Sequence, residues 1–264
     1  MLILAAEVGA RLARPEPVLG GRRIARLLHQ LAPETLDFTR LIRAGETVGW
    51  AEATAKPVFL TRLLDAQAAR CAPFRVFFPL TFSHTLGTGH PRVTVTALGG
   101  ASAGRRFFAG GAGNVIPANI SDLPGLIATG QLVIDIVLLQ LSGPDAAHRY
   151  NTGLGIEHLD AAIPRARLVV AQLNPELPWT EGDTMVEGKA IDLVVPAAEP
   201  PLELPARPPS PVDRAIAEHV ARLISDRTTI ELGSAQSPKR SPARLAGSAG
   251  SASIRARSAT GSPR

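Results

Sequence analysis

Two hydrophobic rhythms alternate along the chain. TVGW (47–50), FRVFF (74–78) and RVTVTAL (92–98) are short runs rich in β-branched and aromatic residues, the composition of strands, and RFFAGG (106–111) is a shorter one. LVIDIVLLQL (132–141) and RLVVAQL (167–173) are nearly continuous apolar runs, as expected of strands covered on both faces of a parallel sheet; AIDLVV (190–195) is a further strand. Between them the period lengthens to that of a helix. PVFLTRLLDAQAAR (57–70) sets Leu60, Leu63 and Leu64 on one stripe, with Pro57 in its first turn. SDLPGLIATG (121–130) reads as a short helix capped by Ser121 and closed by Gly130, and IEHLDAAIPRA (156–166) as another. Strand–helix alternation of this kind predicts an α/β domain with an open, mainly parallel sheet flanked by helices.

Four segments follow from the pattern. Residues 1–40 read as a helical lead-in, with Ile24, Leu27, Leu28 and Leu31 at helical spacing. Residues 41–211 hold the α/β domain and end in the proline-rich connector PAAEPPLELPARPPSP (196–211). Residues 212–233 start a second domain. Its helix (212–226) is expected to turn Ile216, Val220, Leu223 and Ile224 inward, and TTIELG (228–233) is its strand. Residues 234–264 form a tail.

Composition changes the picture in one respect. The formal charge of the 264 residues is +5, which on its own suggests a polyanionic partner. The tail alone carries Lys239, Arg240, Arg244, Arg255, Arg257 and Arg264 and no acidic residue, a charge of +6. The remaining 233 residues carry 22 basic and 23 acidic side chains, so the body is neutral and no specific nucleic-acid partner is expected. Ser, Ala, Gly and Pro supply 21 of the 31 tail residues, too little apolar surface to order a segment. A single cysteine, Cys71, excludes an internal disulfide and suggests a reducing, cytoplasmic setting. The first residues do not read as a secretory signal, and no apolar run approaches the length needed to span a bilayer.

Chemistry-bearing residues are sparse. His29, His84, His90, His148, His158 and His219 are scattered without the clustered ligands a metal needs, so no metal is expected. Neither a nucleophile elbow nor a phosphate-binding loop is present. Asp145 and His148 fit a surface turn as well as an acid–base pair. Two glycine-bearing turns stand out. GWAEATAKP (49–57) joins a strand to a helix, where free N–H groups favour an anion; Gly49, Ala53, Thr54 and Pro57 are its candidate ligand-contacting residues. FFAGGAGNVIP (107–117) adds Gly110, Gly111 and Asn114, where backbone can approach a ligand. Taken alone, each segment reads better as an ordinary tight turn. NPELPWTEGD (174–183), a polar loop carrying Trp179 after a buried strand, sits where α/β proteins place ligand sites.

Together these strings resemble the N-terminal half of the acetyl-CoA hydrolase/transferase family, which includes acetate and 4-hydroxybutyrate CoA-transferases. The resemblance runs from about Leu41 to Gly233. It is anchored on LIRAGETVGWAEATAKP, GNVIPANISDLPGLIATGQLVIDIVLLQLSGPD, NTGLGIEHLDAAIPRARLVVAQLNPELPWTEGD and DRAIAEHVARLISDRTTIELG. It implies paired open α/β domains with the active site between them. It also implies CoA transfer between an acyl-CoA and a carboxylate such as acetate, or thioester hydrolysis, with the CoA thioester as substrate and no metal. In such enzymes a glutamate attacks the thioester and backbone N–H groups hold the oxyanion. The turn at 49–57 corresponds to the family's N-terminal active-site loop; Ala51, Ala53 and Ala55 stand where more glycine is usual, which is expected to stiffen the loop or block close approach. The nucleophile lies in the family's second domain. None of Glu157, Glu176, Glu181 or Glu187 falls in the catalytic motif, so no catalytic residue is assigned here and these are expected to be solvated or structural carboxylates. The chain is expected to act with a separate second half or as a homo-oligomer, or to be a non-catalytic fragment.

The tail fits a shifted reading frame. Relatives continue after a TTIELG-like strand with a string similar to GIGAIPEAV, whereas Gly233 is followed here by SAQSPKRS. In suitable codons those eight residues regroup, one base earlier, as IGAIPEAV. A one-base deletion near codon 234, in the gene or in its sequencing, is therefore expected, with residues 234–264 an out-of-frame translation.

Overall fold

The strand-forming runs assemble into one eight-stranded sheet in which every pairing is parallel. The structure, a computed structural model, describes residues 28–81, 85–86, 90–98, 113–182, 185–203, 208, 210–224, 229–231 and 253–255. The chain divides into two units, 1–203 and 204–264.

In the first unit, β1 is His29–Gln30, β2 Thr47–Trp50, β3 Phe74–Phe78, β4 Val93–Ala97 and β5 Gly113–Val115. Next come β6 Ile136–Leu141, β7 Arg149–Asn151, β8 Leu168–Leu173, β9 Met185–Glu187 and β10 Leu193–Pro196. The helices are α1 Phe38–Leu41, α2 Val58–Gln67, α3 Leu123–Ala128 and α4 Leu159–Ala162. The order across the sheet is β1-β10-β8-β6-β2-β3-β4-β5, while β7 and β9 form a separate antiparallel ladder. From β2 the chain builds outward through β3 to β5. It then crosses to the other side of β2 with β6 and builds the opposite way through β8 and β10. The connections leaving β2 and β6 therefore diverge, and a crevice belongs between their carboxyl ends.

Each face of the sheet has its own core. Val48, Trp50, Val76, Phe78, Ile136, Leu138, Leu168 and Val170 pack with Leu60 and Leu64 of α2. The alternate residues Phe77, Val137, Leu139, Val169 and Ala171 pack with Leu123 and Ile127 of α3 and Leu159 and Ala162 of α4. All six residues of β6 are buried, which is why its sequence does not alternate. Each such side chain contributes about 1.5–3 kcal/mol by leaving water.

At their amino ends the strands are tied by side chains. The Thr47 N–H donates to Asp135 Oδ2 at 2.8 Å, and the Val169 N–H to Asp192 Oδ2 at 2.7 Å. Arg167 grips Glu46 through Nε (2.6 Å) and a terminal nitrogen (2.7 Å), and also donates to the Leu41 carbonyl at 2.7 Å. A bidentate pair of this kind is geometrically specific as well as attractive.

Several local expectations change. Where the lead-in falls within the described residues, it is not one helix. His29–Gln30 pairs with Leu193–Val194, and short helical turns follow at Pro33–Thr35 and Phe38–Leu41. The edge of the sheet offers His29 and Leu31 the backbone partners Asp192 and Val194, which an isolated helix there would forgo. The helix near 121–130 is capped not by Ser121 but by the Asn119–Asp122 pair, whose carboxylate accepts the Asn119 N–H at 2.9 Å; Gly130 closes it at φ +75°. The run 106–111 lies outside the described residues, and the strand near it is β5.

In the second unit, α5 spans Pro211–Ala221 behind a Ser210–Asp213 capping box, and β11 (Thr229–Glu231) pairs in parallel with β12 (Ser253–Arg255). Of the stripe expected to face inward, Ile216 is 46% accessible, Val220 41% and Leu223 85%, and Ile224 is half-buried. The amphipathic pattern set the helix but could not say what covers it. Of the tail, only β12 lies within the described residues.

Gly49 marks the tightest approach between the two halves of the sheet. A Cβ there would lie 2.8 Å from Ile134 Cγ2 and 3.2 Å from its Cδ1. Gly49→Ala is expected to cost about 1–3 kcal/mol by overpacking, and trimming Ile134→Ala in that background to be less damaging than alone. Denaturant midpoints of the three variants check this; a wild-type midpoint for Gly49→Ala would contradict it.

Candidate functional site

Where β2 ends, the chain must leave the sheet beside the diverging end of β6, and the residues that make this possible are Ala51 to Lys56. Ala53 takes the left-handed conformation, φ +52°, and its N–H donates to the Leu80 carbonyl beyond β3 at 3.0 Å. A short 3-10 turn, Ala53–Ala55, then leads through Pro57 into α2. On the other side, the segment after β7 descends onto this turn. The N–H of Glu52 donates to Glu157 Oε2 at 3.0 Å, a contact between residues 105 positions apart. Glu157 is itself left-handed, φ +52°. Two non-glycine residues in that region persist only where their surroundings over-determine them.

The segment holding Glu157 is held in turn. Asn151 Oδ1 accepts the Gly153 N–H at 2.7 Å, Asn151 Nδ2 donates to the Thr180 carbonyl at 2.7 Å, and Thr180 Oγ1 donates to the Gly153 carbonyl at 2.9 Å. Gly153, at φ +64°, has no room for a Cβ, which would lie 2.5 Å from Leu177 Cγ. The polar loop at 174–183 thus braces the neighbouring loop, with Asn174 buried and Trp179 exposed.

Four titratable groups of these segments have altered proton affinities, and two of them, Glu52 and Glu157, are in contact. Glu52, only 3% accessible, is pushed up to about 7 by burial. Glu157 is pushed up to about 8 by burial first and by the Glu52 charge second, against the opposing Glu52 N–H bond. Lys56, 1% accessible, is brought down to about 7 by burial, with Asp65 acting the other way; its ammonium lies 5.4 Å from the centre of the Trp50 ring. His158 is held down to about 3 by burial, edge-on to Phe77 at 5.5 Å, and neither ring nitrogen has a hydrogen-bond partner. Two adjoining carboxyls that change charge near neutrality can hold or pass protons and can receive a polar substrate without a large fixed charge opposing it.

Of the sequence-derived candidates, Gly49, Ala53, Thr54 and Pro57 are brought to this end of β2. Gly49 lies within the strand, buried against Ile134, and Pro57 is buried, while Ala53 and Thr54 are partly exposed. Asn114 is exposed on β5, with β3 and β4 between it and β2, so it does not join them. Gly110 and Gly111 lie outside the described residues. Glu176, Glu181 and Glu187 are exposed; Glu157 is the structural carboxylate among the four. Asp145 is not paired with His148. Its carboxylate binds the Arg149 guanidinium at 2.7 Å and the N–H groups of Ala147 and Arg149, which hold it below the usual range. An open cavity of about 660 Å³ lies elsewhere, against β7 and β9, lined by His148, Arg149, Tyr150, Glu187 and Lys189 among others. Among the described residues no group of three or more His, Cys, Asp or Glu could hold a metal, and no helix is long and apolar enough to cross a membrane.

Residues 102–204 match the acetyl-CoA hydrolase/transferase N-terminal domain, a narrower stretch than Leu41–Gly233 and one that includes Glu157 but not the β2 turn. The chain is 33% identical over 123 residues to the 4-hydroxybutyrate coenzyme A transferase of Clostridium kluyveri, covering 47% of this chain and 29% of that protein. It is 29% identical over 146 residues to the succinyl-CoA:acetate/propanoyl-CoA:succinate CoA transferase of Fasciola hepatica, covering 55% and 30%. The chain thus spans about a third of the length of these curated relatives. RipA from Yersinia pestis has the same fold, with a TM-score of 0.68 at 21% identity over 79% of this chain and 51% of that one.

The titrations set the sign of a pH effect. A carboxyl whose folded value lies above 4.5 binds more protons when folded, so its contribution to stability is complete below that value and lost as pH rises through about 7 for Glu52 and about 8 for Glu157. Glu52→Gln and Glu157→Gln should each raise Tm relative to wild type more at pH 8 than at pH 5. The titrations of Lys56 and His158 are common to all three proteins and drop out of the difference. Thermal melts at the two pH values decide it, and equal shifts would contradict the assignment.

Proposed function

Because the chain belongs to the acetyl-CoA hydrolase/transferase family, we propose that it forms the N-terminal α/β half of an enzyme that moves coenzyme A between an acyl-CoA and a carboxylate. The observation that carries this reading, beyond the family match, is the place of the altered groups. Glu52 lies just past the carboxyl end of β2, with Glu157 bound to its amide and Lys56 farther along the same turn, where open α/β sheets bind ligands. In this reading Ala53 and Thr54 contact substrate, and the Thr54 N–H is the turn's donor toward the thioester oxygen, the amides of Glu52, Ala53 and Ala55 being bound within the protein. The nucleophilic glutamate comes from a second domain outside these residues. Attack on the thioester carbonyl turns its oxygen into an oxyanion, and collapse expels the CoA thiolate and leaves an acyl–glutamyl anhydride. The thiolate then attacks the glutamyl carbonyl, releasing the acyl group as a carboxylate and leaving the glutamyl–CoA thioester. Donors fixed in advance stabilise the oxyanion without reorganising. A carboxylate resolving the covalent intermediate makes the enzyme a transferase; water makes it a hydrolase.

The test is exchange of labelled acetate into acetyl-CoA, with free CoA release followed in parallel. The chain alone should remain at background. Mixed with the C-terminal half of a CoA-transferase relative, it should support exchange, and borohydride trapping followed by peptide mass mapping should place the glutamyl thioester on the added half. A trapped thioester on Glu52 or Glu157, or turnover by this chain alone that Glu157→Gln abolishes, would overturn the placement of the nucleophile.

A further inference from the structure

We propose that Glu157 is a positioning residue, a carboxyl clamp that reaches across the crevice and fixes the turn leaving β2 in its site-forming shape. The turn is held at two successive amides by two different neighbours. The Glu52 N–H is bound by the Glu157 side chain at 3.0 Å, and the Ala53 N–H by the Leu80 carbonyl at 3.0 Å. The second contact belongs to the half of the sheet that runs outward through β3. The first comes from the half reached through β6. The turn is thereby tied to both halves of a sheet whose connections part at this point.

Everything about Glu157 serves that reach. Its own backbone is left-handed, which aims the side chain away from the course of the following α4. Gly155 leaves space for the carboxyl: at φ +154°, a Cβ there would meet Glu157 Oε1 at 2.8 Å. Gly155 and Glu157 thus form a pair in which the small residue exists to seat the large one. Ala53 needs the clamp because a left-handed backbone is unfavourable for a residue with a Cβ, and the bonds to its own amide and to the one before it hold it there. The burial that raises the proton affinity of Glu157 and Glu52 accompanies the same closeness. The amide-holding role needs only an oxygen acceptor at Oε2, which a glutamine can also present.

Amide hydrogen exchange of the full chain, followed residue by residue, tests the clamp directly. Glu157→Ala should speed exchange at Glu52 on the order of tenfold, with Ala53 following, while amides of β8 such as Val169 keep their protection. Glu157→Gln should keep Glu52 within about twofold of wild type. Should Glu157→Ala fold poorly, Gly155→Ala gives the second arm, displacing the carboxyl by contact and speeding the Glu52 amide while Glu157 is still present. Unchanged Glu52 exchange in Glu157→Ala or in Gly155→Ala, or equal acceleration in Glu157→Gln and Glu157→Ala, overturns the clamp. The kinetic consequence rests on the CoA-transfer reading. In the complemented exchange assay, Glu157→Ala should lower kcat on the order of tenfold with KM for acyl-CoA within about twofold, and Glu157→Gln should restore it. A complemented wild type without exchange counts against that reading, and the amide measurements then decide the clamp by themselves.

Discussion

The pairing of β2 with β6 is the constraint on which the rest of the structure turns. These strands are neighbours in space but 88 positions apart where Gly49 meets Val137 by register, and the chain leaves them in opposite directions. Parallel pairing demands that both carboxyl ends open on the same side. Close pairing at that point demands a residue without a side chain, because Ile134 fills the space above Gly49. The Asp135 carboxylate then fixes the register by accepting the Thr47 N–H at the strands' other end. Once these contacts are made, both carboxyl ends open onto one crevice, and residues from either half of the sheet meet at its mouth.

That convergence brings carboxyl groups together where water is scarce, an arrangement a protein does not retain cheaply. Burial disfavours each charge, and the two carboxyls disfavour each other. The crevice responds by letting protons settle on both near neutrality, while Lys56 nearby releases its own more readily than an exposed lysine. The neighbourhood is therefore polar but holds little net charge at neutral pH. For chemistry that develops an oxyanion beside an incoming carboxylate, such a background opposes neither group.

Most of the sheet was legible because its signals are local. Continuous apolar runs marked β6 and β8, and β-branched and aromatic residues marked β2, β3 and β4. Edges were less legible. His29–Gln30 carries no strand composition and is a strand only because β10 offers it partners. The inward face assigned to α5 failed for a related reason: periodicity identifies an apolar side of a helix and says nothing about what lies against it. At the site, the turn at 49–57 was visible through its position between strand and helix. Glu157 was not. Its importance comes from a contact with Glu52 across 105 positions and from a left-handed backbone that a glutamate does not advertise. The one sequence hint was the spacing of Gly153 and Gly155 just ahead of it, a sign of unusual backbone rather than of a particular role.

The two rims of the sheet are built on different rules. Along the amino rim, Glu46, Asp135, Arg167 and Asp192 bind backbone groups or one another and tie β2, β6, β8 and β10 at that end. Along the carboxyl rim, most of the residues in the loops answer only to a neighbouring loop. Variation can therefore accumulate at one rim while the other preserves the scaffold, and lineages sharing this sheet are free to change what they recognise without relearning how to fold.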